Sequence, residues 1–246
     1  MSMRKFTKTM AAVLSLTMTL TMVTPVFAEG ETNTTPAQTT EVVTPTPAPA
    51  QPPKNGLFVN EGKTYCYKNG KLVKNKYGYK VKKNYYRIDK KGVATLVSTA
   101  EGLAGARLDK CGGDLKKAFK WSSTKIKYWG SVGKPKKGQN QVEYYATYGF
   151  KNGKGDCYVM AATFCMMAKV KGLKNVKFVK GSVPQANGKN GAHAWCEIKF
   201  GKTRYVYDPN FAYSFRNNPK AHSGYKFKYG TKGTYRYNKE KTRISF

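Results

Sequence analysis

Apolar positions along this chain fall into regions of different texture. An apolar run extends from Met10 to about Val23, with Arg4, Lys5 and Lys8 just before it. Glu29 to Pro53 is rich in Thr and Pro and nearly free of large apolar residues. From Gly56 to about Leu96, aromatic and apolar residues alternate over short spans punctuated by glycine. Beyond that, helical spacing comes first and strand alternation afterwards.

In the helical part, Leu115, Ala118, Phe119, Ser122, Ile126 and Trp129 recur at three- and four-residue steps and predict a helix over Asp114–Trp129. Gly130 to Gln141 reads as a polar loop, and Val142 to Tyr148 as a short second helix. Tyr158 to Val170 reads as the central helix. Val159, Met160, Phe164, Met167 and Val170 form its apolar stripe, Ala161, Ala162 and Ala168 allow close packing, and Gly172 ends it. Alternation then predicts strands over Val176–Val183, Ala192–Phe200 and Tyr205–Asp208. Tyr225–Tyr229 and Tyr235–Tyr237 flank a Gly-containing turn and read as a hairpin, aromatics on one face and cations on the other. Helices first and antiparallel strands after predict an α+β domain, with the central helix packed on the sheet.

The N-terminal textures divide the chain further. A basic start, a short apolar run and the small-residue site Val26-Phe27-Ala28 make residues 1–28 a secretory signal peptide cleaved after Ala28. The apolar run is too short for a membrane span, which needs about 20 apolar residues. Residues 29–55 read as an extended linker. In residues 56–97 the stretch Lys63–Val73 is echoed by Lys83–Val93, a period of about twenty residues, and each copy reads as a β-hairpin. These copies resemble the cell-wall-binding repeats of surface proteins in Gram-positive bacteria. Tyr77-Gly78-Tyr79 stands where those repeats carry a Gly-Trp pair, so the aromatic cage that holds choline is incomplete. The other reading of this region is a small β extension packed on the main domain, residues 98–246.

Charge narrows the partners. The chain of 246 residues carries a formal charge of +32. After residue 55 there are 41 Lys and Arg against 10 Asp and Glu, so the charge belongs to the folded part. Such a surface draws polyanions. With a secretory leader, the expected partners are bacterial cell-wall polymers, peptidoglycan or anionic wall polymers, together with a protein or peptide substrate. Nucleic acid is not expected, nor is an integral membrane segment once the leader is removed. Cys66, Cys111, Cys157, Cys165 and Cys196 include no CxxC pair, and the two histidines are His193 and His222. No metal or cofactor is expected.

Candidate chemistry centres on Gly155-Asp156-Cys157-Tyr158. A cysteine at the start of a helix meets the positive end of the helix dipole and free N–H groups, which favour the nucleophilic thiolate and can serve an oxyanion. Gly153 and Gly155 would let a substrate backbone approach. Cys165, deeper in the same helix, reads as a structural core thiol. His193 opens a strand beside Trp195, whereas His222 sits in a polar loop and reads as solvated. Asp208 precedes Pro209-Asn210; it reads either as a turn-capping aspartate or as the group that orients a catalytic base.

Gly155-Asp156-Cys157 with its Ala-rich helix, His193-Ala194-Trp195 and Tyr207-Asp208-Pro209, in this order, resemble the transglutaminase-like superfamily. Ile126-Lys127-Tyr128-Trp129 is similar to the end of that family's lead-in helix. The resemblance spans roughly Gly102 to Tyr213. It implies a papain-like core with Cys157 as nucleophile, His193 as base and Asp208 as orienter, acting through a thioester. Tyr128, Trp129 and Tyr148 are candidates for the side chain that completes the oxyanion hole. Water as acceptor gives a peptidase or amidase, and a lysine amine gives a protein crosslinker. A non-catalytic wall-binding protein on the same scaffold is the remaining alternative. Location at a Gram-positive cell wall favours hydrolysis of envelope peptides.

Overall fold

The computed structural model describes residues 51–185, 187–238 and 241–246; the leader and most of the linker lie outside them. In chain order the elements are β1 (Gly56–Asn60), β2 (Lys63–Lys68), β3 (Lys71–Leu72), β4 (Lys76–Val81), β5 (Asn84–Ile88), β6 (Ala94–Val97), α1 (Thr99–Lys110), α2 (Leu115–Thr124), β7 (Lys127–Tyr128), α3 (Gln141–Asn152), β8 (Lys154–Gly155), α4 (Cys157–Val170), β9 (Val176–Pro184), β10 (Asn190–Phe200), β11 (Thr203–Tyr207), α5 (Pro209–Ser214) and β12 (Thr242–Ile244). This is the α+β arrangement expected from the pattern.

The two N-terminal copies form two three-stranded antiparallel sheets, β1-β2-β3 and β4-β5-β6. Asn69 and Gly70, with φ of 51° and 74°, make the tight turn between β2 and β3. The second sheet lies directly on α1. A Cβ added at Gly78 would sit 2.2 Å from the Gly102 carbonyl oxygen, and one at Gly105 would sit 2.2 Å from that of Tyr77. The N–H groups of Tyr77 and Gly78 donate to the Asp109 carboxylate at 3.2 and 3.3 Å. Tyr77-Gly78-Tyr79 therefore serves backbone-to-helix packing.

Helix α1 was not anticipated, although its N-terminal signature is readable in the chain. Ser98 and Glu101 form a reciprocal capping box. Its buried face is Ala100, Gly102, Ala104, Gly105 and Leu108, in which Leu108 is the one large apolar side chain, too little for an apolar stripe to stand out. Helix α2 is shorter than the expected Asp114–Trp129. Asp114 caps it, accepting from Lys117 N–H at 2.7 Å. At the other end, the Ser123 and Thr124 hydroxyls donate to the Lys120 carbonyl, at 3.1 and 2.7 Å. Such side-chain bonds weaken continuation of a helix. Ile126 is then buried on its own, and Lys127–Tyr128 pairs in parallel with Lys154–Gly155. Helix α3 runs further than expected, to Asn152, where Gly153 takes a left-handed φ of 62° at the cap.

Helix α4 has no exposed face to complement its stripe. Only Tyr158 and Lys169 of its fourteen residues escape full burial. A helix apolar on every side belongs inside. Helices α1, α2 and α3 pack around it together with β9 and β10. Thr163, polar within this core, donates to the Met160 carbonyl at 2.8 Å and pairs with the Ser122 hydroxyl at 3.1 Å.

The main sheet is antiparallel, in the order β11-β10-β9-β12. Alternation along β10 gives it two packed faces. Ala194, Cys196 and Ile198 join the helical core, whereas Trp195 joins Val179, Val206, Phe227 and Tyr237 on the opposite side. The expected hairpin of Tyr225–Tyr229 and Tyr235–Tyr237 does not form. Phe227 instead makes a reciprocal backbone pair with Val206 at 2.7 and 3.1 Å; Tyr229, Tyr235 and Tyr237 pack onto the outer face of the sheet, whereas Tyr225 packs on Phe119 and Tyr207 of the helical core. The buried surface offered by Trp195 outcompetes pairing of the two aromatic stretches with each other.

Candidate active site

The site assembles where α4, β10 and α5 begin or end. Asp156 caps α4, its side chain accepting from the Val159 N–H at 3.1 Å. Cys157 is the first residue of the helix, so its own N–H has no intrahelical acceptor. It is 6% exposed, at the floor of a cleft. Gly155 has a different role from the expected one: a Cβ there would meet Val159 Cβ at 2.5 Å, so the glycine admits the first turn of α4 instead of a substrate.

The three residues singled out in the sequence converge here. His193, 3% exposed, directs Nε2 at Asp208 Oδ2 across 2.6 Å. A carboxylate only accepts, so Nε2 carries the proton. The Cys157 thiol lines the same cleft as this imidazole and acts on it electrostatically. Burial alone would lower the pKa of His193. The charge and hydrogen bond of Asp208, together with Cys157, outweigh it and raise the pKa to about 10.

The Asp208 carboxylate divides its two oxygens between two partners. Oδ1 accepts from the Phe211 N–H at 2.9 Å and caps α5, while Oδ2 faces His193. Oδ2 has a second donor, the Tyr237 hydroxyl at 2.8 Å. Tyr237 is itself buried, and burial first, then Asp208, pushes its phenol well above the usual value. It stays a donor throughout the neutral range. Trp195 packs beside the imidazole at 6.0 Å and against Tyr237 at 4.7 Å, with Tyr235 edge-on to the imidazole at 5.4 Å.

A polar chain backs this cluster. Trp195 Nε1 donates to the Tyr229 hydroxyl at 2.7 Å, and the Tyr229 hydroxyl donates to Glu197. Arg243 grips the same carboxylate with two hydrogen bonds, at 2.6 and 3.0 Å. Glu197 is 2% exposed, and this bidentate pair satisfies it. Trp195 is thus oriented from behind by fixed partners.

The cleft above Cys157 and His193 has a volume of about 780 Å³, within the range of small-ligand and peptide sites. Of the three candidates for the oxyanion hole, Tyr128 alone lines it. The β7–β8 pairing sets Tyr128 opposite Gly155. Burial first, then charge at Cys157 and Asp156, raises its phenol, which keeps it a hydrogen-bond donor. Trp129 points away, 65% exposed under the Lys154 ammonium, and Tyr148 lines a different cavity. His222 is half-buried, not solvated. Its Nδ1 accepts from the Gly224 N–H at 3.1 Å and its ring lies 5.0 Å from Phe227. Cys165 is fully buried, as expected of a core thiol.

Sequence reasoning missed the contribution of the C-terminal segment. Tyr235, Arg236 and Tyr237 had been assigned to a free hairpin; their alternation was visible, but not which strand they would cover. Among the described residues no group of His, Cys, Asp and Glu could hold a metal ion.

A thiol on the first turn of a buried helix thus lines one cleft with an imidazole that is held by a carboxylate at the end of a neighbouring antiparallel strand. Residues 97–209 match the family model of the transglutaminase-like superfamily, so the chain carries a transglutaminase-like domain there. That domain is generally a cysteine-based enzyme fold. No curated protein matches the chain. The family match stops one residue after Asp208, so Tyr235, Arg236 and Tyr237 lie outside it.

Proposed function

We propose that this protein is a secreted cysteine acyltransferase of the bacterial envelope that hydrolyses peptide or amide bonds through a Cys157 thioester. One observation supports the reading above others: Cys157 and His193, both buried, line one cleft, and the imidazole is bonded to the Asp208 carboxylate buried behind it. The attacking species is a Cys157 thiolate paired with a protonated His193. The tetrahedral oxyanion is received by the Cys157 N–H and the Tyr128 hydroxyl. His193 gives its proton to the leaving amine, which departs and leaves the acyl group on sulfur. It then takes a proton from water, whose oxygen attacks the thioester and restores the thiol. Asp208, braced by Tyr237, keeps Nε2 protonated through the cycle so that Nδ1 does the transfer.

The charge of the surface supports an envelope location. Most acidic residues of the folded part are engaged in caps, turns or the site itself, as with Glu101, Asp109, Asp114, Asp156 and Asp208. The excess of Lys and Arg is therefore left to anionic wall polymers, an attraction screened over about 8 Å at physiological salt. The N-terminal sheets extend the same cationic surface.

The test is incubation of purified protein with wall-derived peptides, with and without an added primary amine, followed by mass spectrometry of Cys157. An acyl adduct on Cys157 that resolves to free carboxylate supports hydrolysis. Resolution to an amide of the amine points to crosslinking instead. Full activity in Cys157→Ala would refute the assignment.

A further inference from the structure

The cleft presents one charged group besides the reacting pair. Arg236 lines it, on the segment between Tyr235, edge-on to His193, and Tyr237, bonded to Asp208. Both neighbours are held against the site, so the backbone that carries Arg236 is fixed although its side chain is exposed. Among the described residues, no hydrogen bond, ion pair or ring contact engages its guanidinium; exposed Arg87 and Arg204 share that freedom, but neither lines this cleft. No Asp or Glu lines the cleft among the described residues; Asp208 is fully buried behind it, its oxygens already committed.

We infer that Arg236 reads a carboxylate on the acyl donor, so that the preferred substrate is an acidic peptide with a side-chain or terminal carboxylate close to the scissile amide. This rests on the acyl-transfer reading and adds a substrate class to it. Three features favour a carboxylate over a neutral group. A guanidinium offers a planar fork of donors that matches a carboxylate with two parallel hydrogen bonds. The remaining wall is uncharged, with aromatic residues such as Tyr213, Phe215 and Tyr235 and neutral polar residues such as Gln185, Ser214 and Thr234. It thus accepts peptide backbone and apolar side chains but supplies no acid to welcome a basic one. The field of the whole protein also brings anions to the cleft mouth, where Arg236 selects among them by geometry.

The experiment separates recognition from turnover. Two blocked hexapeptides that differ by one glutamate-to-glutamine change are titrated into Cys157→Ala protein by calorimetry, at low and physiological salt. The glutamate peptide is expected to bind about tenfold tighter, the size of one charge-assisted pair. Arg236→Met should remove that preference and Arg236→Lys should keep part of it. Lys228→Met, an exposed lysine outside the cleft, should leave it intact. Equal binding of the two peptides, or a preference that survives Arg236→Met, overturns the inference. A preference that disappears with Arg236→Met supports it even if the wild-type protein turns over neither peptide; that result would count against the acyl-transfer reading instead.

Discussion

On one face of the main sheet, Ala194, Cys196 and Ile198 meet a helix of methionine, alanine and phenylalanine with almost no polar contact. On the other, Trp195 and Glu197 meet tyrosines and an arginine joined by hydrogen bonds. Each face holds part of the site. The helical face fixes Cys157 by close packing, which is non-directional and sets position through shape. The tyrosine face fixes Asp208 directly and His193 through it, by directional bonds that set tautomer and angle. In the proposed mechanism the nucleophile needs only to be placed whereas the base must also be oriented, and the two faces match those two demands.

Breaking either side should give a different signature. Cys157→Ala is expected to cost the most, at least about 10⁴-fold in turnover, with unchanged thermal unfolding, since the side chain lies at the cleft floor and not inside the packing. Phe164→Ala, within the helical face and in edge contact with Phe119 at 5.3 Å, should cost about 3–5 kcal/mol of stability. Denaturant unfolding would show it, and whatever protein stays folded should keep normal turnover.

Titration of His193 provides a third handle. Its pKa is raised from 6.5 to about 10 in the folded state. The stabilisation from its charged form is therefore complete below the unfolded value and is lost as pH rises through about 10. Melting temperature should decline across that window in the wild type, and the decline should flatten in Asp208→Asn. A wild-type profile flat from neutral pH to pH 10 would contradict a charged imidazole.

The smallest effect is expected at Tyr237→Phe, which removes one donor from Asp208 Oδ2 and leaves the ring packed on Trp195. It should cost about 1 kcal/mol in stability. Turnover should fall about tenfold with KM nearly unchanged, a range set by the general-base contribution it perturbs. A fall in stability with no change in kcat would reduce Tyr237 to a packing residue.

Much of this site was legible in the chain because its residues lie at element boundaries, and boundaries have local chemistry. Cys157 follows a capping aspartate and precedes an unbroken apolar run; Asp208 precedes a proline. Such signals depend on a few neighbouring residues. The boundaries that failed did so for equally local reasons: α2 stops where Ser123 and Thr124 bond back to Lys120, a competition that apolar spacing does not register. Helix α1 escaped because its buried face, apart from Leu108, is glycine and alanine, small enough to meet the Tyr77–Gly78 backbone but carrying little hydrophobic signal.

Local chemistry and periodicity in the sequence thus determined the α+β class, the central helix, the three antiparallel strands and the excess of positive charge, and marked Cys157, His193 and Asp208 as candidates. Tertiary structure alone decided that the C-terminal tyrosines would cover the outer face of β10, that Tyr237 would share Asp208 with His193, that Tyr128 and not Trp129 would face the cleft, and that Arg236 would stand unpaired within it. Each of these depends on which buried surface wins an aromatic side chain. That competition is settled between segments some 30 to 100 residues apart, as with Tyr237 on Asp208 and Tyr128 beside Tyr213, beyond the reach of any pattern read along the chain.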